Sequence, residues 1–142
     1  MAKGSTFCND ILKLFFQATA IANVADNAGT SPLTNLYVSL HTADPGAGGS
    51  QTTSETSYTS YARVAVARTS GGFTVTSNSV SPAATISFPA CTGGTATITH
   101  FAIGSASSGA GKIFYSGTVT PNISVSSGVT PQLTTSSTIT ES

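Results

Sequence analysis

The hydrophobic period of this chain changes once, at Pro32, and does not change back. Before it, Phe7, Ile11, Leu14, Phe15, Ala18, Ile21 and Ala22 recur at the three- and four-residue spacings that gather side chains on one helical face. After it, Leu36, Val38 and Leu40 alternate with Tyr37, Ser39 and His41, and Ala62, Val64 and Val66 alternate with Arg63, Ala65 and Ala67. That is the period-2 signature of half-buried strands. A segment patterned for one period puts its apolar set on the wrong side when forced into the other, so the pattern constrains the element type. The expected fold is mainly β, with one N-terminal amphipathic helix.

Further strand-like runs are Phe73 to Thr76, Thr85 to Phe88, Thr95 to Ile103, Lys112 to Val119, Ile123 to Val125 and Gln132 to Thr140, giving about eight strands in all. Between them lie Asp44-Pro45-Gly46, Ser70-Gly71-Gly72, Gly93-Gly94, Ser108-Gly109-Ala110-Gly111 and Ser127-Gly128. Glycine supplies the positive φ that tight reversals need, and Asp and Ser bond their own backbone there. Many short strands between such turns predict an antiparallel sandwich or barrel. In Thr95 to Ile103 the apolar set shifts phase, so that strand is buried on both faces or carries a bulge. A chain of 142 residues suffices for one core. The expected division is a helix and linker over 1–30 packing on the same domain as a sandwich over 31–142.

The helix is expected to be capped by Ser5 or Thr6 and to stop within Asn23 to Ser31. The apolar run from Ile11 to Ala25 is similar to the core of a secretory signal, but Lys13 and Gln17 interrupt it and it is too short to span a bilayer, so it is expected to be part of the fold. No membrane partner is expected. Leu12 and Phe16 fall outside the main stripe and lie beside each other. They either widen the core-facing surface or touch another subunit, and they are candidate interface residues.

Five basic and five acidic side chains cancel, and only 7% of residues are charged, against a usual share of about a quarter, while Ser and Thr make up about a third. Phosphate binding draws on clustered Lys and Arg. Here Lys3, Lys13, Arg63, Arg68 and Lys112 are scattered, which argues against nucleic acid as a partner. A near-neutral hydroxylic surface gives little repulsion between molecules, so protein partners are expected. Open strand edges call for cover by a neighbour, which favours a homo-oligomer, a dimer ahead of a trimer.

His41, Asp44, Glu55 and His100 are the set from which an acid–base or metal site could be built, but their spacing is weak, and Asp44 already has work opening its turn. No nucleophile elbow, phosphate loop or dinucleotide fingerprint is present. Neither enzymatic turnover nor a cofactor is expected. Cys8 and Cys91 read as independent buried thiols, with a disulfide as the lesser alternative. Tyr58, Tyr61 and Tyr115 could stack on sugar rings, yet without Trp or an amide cluster a glycan-binding module is a poorer fit. Tyr61 and Arg63 project to one side of their strand, a residue pair that protein interfaces favour, and complete the candidate interface set. The loop from Thr42 to Ser57 is long for a compact domain and is expected to be a contact element or mobile.

LYVSLHTADPG at 36–46, Tyr58, Tyr61 and Arg63 of YTSYARVAVAR, FPACTGG at 88–94, HFAIG at 100–104 and KIFYSGTVTP at 112–121 together resemble tailed-bacteriophage structural proteins. The resemblance is to the small capsid decoration, or cementing, proteins, some of whose look-alikes are tail or tail-fibre components. It implies a jelly-roll type of sandwich and a structural role in the virion. The protein would be made in the host bacterial cytoplasm and would sit on the capsid surface, bridging subunits of the major capsid protein. The alternative is a tail or tail-fibre component. A single compact domain without stalk repeats favours cementing.

Overall fold

A computed structural model describes residues 5–21 and 33–141. Among these residues it shows a mainly β fold with one helix, α1 (Ser5–Gln17), and nine strands. These are β1 (Asn35–His41), β2 (Val64–Ala67), β3 (Phe73–Thr76), β4 (Ser79–Pro82), β5 (Ile86–Ser87), β6 (Ala96–Gly104), β7 (Ile113–Val125), β8 (Gln132–Leu133) and β9 (Ile139–Thr140). Three sheets form, with strand orders β2-β1-β6-β7, β3-β4-β9 and β5-β8. The residues gather into two compact units.

Of the described residues, the first unit comprises 5–21, 33–35, 66–85 and 133–141, and holds α1 and the sheet β3-β4-β9. Its core is the stripe Cys8, Leu12 and Phe16 on α1, with Phe73 and Val80 from the sheet, all almost completely buried. Residues four apart stand above one another on a helix, so this stripe is a single ridge. The Phe16 and Phe73 rings meet edge to face, centroids 4.8 Å apart. Gln17 Nε2 donates to Phe73 O at 3.0 Å, tying the helix end to the sheet. Ile11, Leu14 and Phe15, expected to lead the buried face, are only half-buried.

The helix ends at Gln17, earlier than the Asn and Gly signals predict. Ala18 turns left-handed with φ 54°. The Thr19 amide reaches back to Lys13 O at 3.1 Å. Arg68 then takes the exposed carbonyls: its Nη2 donates to Leu14 O at 2.7 Å, its Nε to Phe15 O, and its Nη1 to Leu33 O at 3.3 Å. A cation on the last carbonyls also opposes the negative end of the helix dipole. The expected stop over 23–31 lies outside the described residues, as do the side chains of Ser5, Thr6 and Phe7.

The second unit, residues 36–65 and 86–132, is built on the antiparallel partners β1, β6 and β7. β1 pairs β6 with Val38 opposite Ile103 and Leu40 opposite Phe101 on one face, and with Ser39 opposite Ala102 and His41 opposite His100 on the other. The first face carries the apolar core. The second is also covered, which is why β1 and the second half of β6 are buried on both sides. The bulge expected in β6 is present: Ile98 pairs Ile123 and His100 pairs Thr118, so Thr99 alone stands opposite Val119 to Asn122 of β7. Gly117 of β7 makes room for the Phe101 ring, which a Cβ there would meet at 2.9 Å.

β7 joins two runs that the sequence separates, because pairing with β6 resumes at Ile123 beyond the bulge that holds Pro121, on the outer strand of the sheet, where a missing amide is tolerated. β4 has no counterpart among the expected strands, since Val80 is its one large apolar side chain. The run Gln132 to Thr140 contains two strands, β8 and β9, that join different sheets.

Candidate functional site

The loop from Thr42 to Ser57 is a folded part of the second unit. Gln51 anchors it. Its side chain is fully buried, accepting at Oε1 from the Ala106 amide at 3.0 Å and donating to Tyr37 O at 3.4 Å. Gly104 and Gly111 form its slot: a Cβ at either would come within 2.1 Å of the Gln51 side chain. The loop backbone is sewn to β1 by Thr42 N to Ser54 O and Thr56 N to Leu40 O, each 2.9 Å. Asp44 opens the loop as a turn residue, accepting from the Gly46 amide at 2.9 Å.

His41, completely buried, clamps the loop from below. Its Nδ1 lies 2.8 Å from Thr53 O, and a carbonyl can only accept, so Nδ1 carries the proton. Nε2 then accepts from Ser39 Oγ at 2.9 Å. Burial lowers the His41 pKa, and the Thr53 hydrogen bond and the Glu55 charge oppose that shift. The imidazole is a neutral structural bridge. His100, opposite it in the sheet, pairs through Nδ1 with Thr99 Oγ1 at 2.9 Å.

Glu55, Arg63 and Tyr61 form the second clamp. Arg63 Nε and Nη2 grip Glu55 Oε1 and Oε2, each at 2.7 Å, in the fork geometry that makes such pairs strong. Its Nη1 donates to Ala106 O at 2.9 Å and Nη2 also to Gly109 O at 2.7 Å, leaving the side chain 3% exposed. The Glu55 hydrogen bonds raise the Arg63 pKa. Tyr61 donates to Glu55 Oε1 at 2.9 Å and accepts from the Leu40 amide at 3.0 Å. Burial, then the Glu55 charge, pushes its pKa upward.

The candidate interface residues are thus placed as follows. Tyr61 and Arg63 do share a side, but that side faces Glu55 and the 106–109 loop. Leu12 and Phe16 are wholly buried in the first unit, so the pair read as a separate helical face is the centre of the buried one and presents no surface. Of the four acid–base candidates, His41 and Glu55 are antiparallel neighbours along the backbone, while Asp44 is occupied in its turn. Among the described residues no group of three or more His, Cys, Asp or Glu could hold a metal ion. Cys8 and Cys91 are buried free thiols. Sequence reading missed Gln51, Ser39 and Arg68. A signal for Gln51 exists in hindsight, because glycines at 104 and 111 leave room that some long side chain must fill.

Two shallow depressions lie in the second unit. One, of about 390 Å³, is bordered by Thr42, Glu55, Thr56, Ser57, Thr59 and Thr95. The other, of about 480 Å³, is bordered by Thr95, Ala96, Thr97, Ser124, Val125 and Ser126. Both are bordered by Thr95 and Ala96. Tyr58 hydroxyl donates to Pro89 O at 2.8 Å and the ring is 4% exposed, so it offers no stacking platform.

These features define a β-rich protein in which Asp44, Glu55 and Arg63 brace its own loops and whose depressions are bordered mostly by hydroxyl side chains. Residues 7–140 match the family described as Podophage GP4 fiber I protein gp80, and the chain belongs to that family. It is a structural protein of a tailed-phage particle. No curated protein matches the chain. Among the described residues no helix is long and apolar enough to cross a membrane.

Proposed function

We propose that this protein is a component of a fibre or tail appendage of a podophage particle, acting through contacts with neighbouring virion proteins and further copies of itself, without turnover. The observation that carries this reading is the family match across residues 7–140, whose description names a fibre. It supports the second of the two positions implied by the sequence resemblance over capsid cementing. The geometry is compatible with a mechanical part: the Glu55–Arg63 pair, the His41 bridge and Gln51 are spent on holding a long loop rigid. A rigid loop keeps its surface ready for contact and lowers the ordering cost of docking.

Copy number tests the position. Quantitative gel analysis of purified particles, with electron cryomicroscopy of the same sample, is expected to find a few copies per particle, located at the tail or its fibres. Hundreds of copies spread over the shell would overturn this and restore the cementing role.

A further inference from the structure

His41 stands at the middle of a row of titratable residues laid across three neighbouring backbone segments. On one side it faces His100 of β6 in register, and on the other it bridges to Glu55 near the end of the 42–57 loop. Residues directly opposed on antiparallel segments share a face, so the three side chains are neighbours. The His41 ring spans the join between loop and strand: Nδ1 donates to Thr53 O in the loop, and Nε2 accepts from Ser39 Oγ in β1. A second proton would have to sit on Nε2, against the hydroxyl hydrogen that Ser39 points there. Ser39 can turn away only towards Ala102 O, at 3.4 Å. The ring is fully buried, so water cannot solvate the new charge. Among the groups around it, Glu55 favours a cation, while Arg63 and His100 oppose one. Glu55 is already engaged, accepting from Arg63 at both oxygens and from Tyr61 at Oε1.

The loop has little apolar packing to lose. Of residues 42–57, all of them described, Pro45 is the only one with a buried apolar side chain. β1 and β6 beneath it bury Leu36, Val38, Leu40, Ile98 and Ile103. A segment that buries so little apolar surface can open locally, at less cost than unfolding the sheet. We propose that His41 is the pin of an acid-sensitive latch, whose protonation frees residues 42–57 from β1 while the sheet beneath stays folded. Once the loop is open, water reaches the imidazole and it takes up a proton near its ordinary 6.5, which the closed state resists. Falling pH therefore favours the open loop, and neutral pH the closed one. The loop surface is fixed at neutral pH and released in acid. This latch does not depend on where the protein sits in the particle, and it is tested on the isolated chain, so its failure and that of the fibre reading are separate results.

The experiment is amide hydrogen exchange of the full chain as pH is lowered, each rate referred to the intrinsic rate at that pH. The reporters are Thr42, Gln51 and Thr56, whose amides donate to Ser54 O, Gly111 O and Leu40 O. The references are Phe88 and Cys91 of the same unit, whose amides donate to Pro131 O and Val129 O. The reporters are expected to lose protection on the order of tenfold between about pH 7.5 and pH 5.5. At the acid end the references should remain at least about tenfold better protected than the reporters. His41→Asn should remove the pH dependence of the reporters. Should that variant not fold, nitrogen NMR of the parent's imidazole gives a second reading: His41 is expected to gain its proton with the same midpoint as the loop opening. Reporter protection that does not change with pH, reporters and references equally protected in acid, an unaltered pH dependence in His41→Asn, or protonation of His41 with the loop still protected would overturn the proposal.

Discussion

The two units solve the same problem with different materials. The first buries a ridge of Cys8, Leu12 and Phe16 against Phe73 and Val80, and its stability rests on shape and apolar area. The second buries a comparable apolar face and, on the other side of the same strand, a layer of Ser39, His41, Gln51 and the Glu55–Arg63–Tyr61 group. Apolar packing is tolerant of small shape changes, whereas a buried polar layer holds only while every member keeps its partner. Surface loops gain little from apolar packing, so a loop of sixteen residues, 42–57, is held by hydrogen bonds and one ion pair.

The contrast is broken most severely in the first unit. Phe16→Ala removes the ring at the centre of the ridge and should cost about 3–5 kcal/mol, read as a lowered denaturation midpoint with lost hydrogen-exchange protection in α1 and β3. A loss below about 1 kcal/mol would mean that the ridge is not the core. In the second unit Arg63→Met leaves Glu55 without its partner and should cost about 3 kcal/mol. Adding Glu55→Gln should recover part of that loss, because an unpaired carboxylate is worse than no charge at all. A double variant less stable than Arg63→Met would show that the ion pair is not what holds the loop.

The next effect is graded by pH. His41 has a folded pKa below its ordinary 6.5, so above that value both folded and unfolded chains carry it neutral and it contributes no slope. As pH falls below 6.5 the unfolded chain takes up a proton that the folded chain resists, and stability declines by at most about 1.4 kcal/mol per pH unit. Glu55, Arg63 and His100 share its field, so the comparison is with His41→Asn, which should be less stable throughout and have a flatter profile between neutral pH and the onset of carboxylate titration. Identical slopes would remove His41 as the cause. The smallest effect is a gain: Ala18→Gly relieves the left-handed backbone at the exposed helix end and should add about 0.5–1 kcal/mol.

Periodicity made the β class, the single helix and the sites of most strands legible. It failed where neighbours decide. The four-residue spacing of Leu12 and Phe16 was visible, but which face of α1 turns inward depends on Phe73 and Val80, far along the chain. Likewise the outward reading of Tyr61 and Arg63 is right about a shared side and silent about Glu55, whose loop folds back over them. Asp44 could be read, since its partner amide is two residues away; for Gln51 the glycines at 104 and 111 signal only that room is left for a long side chain, and its partners, from Tyr37 and Ala106, are not written locally. Local chemistry is written in the sequence, and long-range pairing between polar groups is not.

The four residues of β7 that bow out opposite Thr99, Pro121 among them, have a consequence during infection. A lysing host accumulates virion parts to high concentration, and a neutral protein meets its own kind with little to keep copies apart. An outer strand that ran straight would offer a ready template on which identical chains could seed and grow into filaments. Bent in its middle and short of one amide, this border is a poor template for extension by simple stacking.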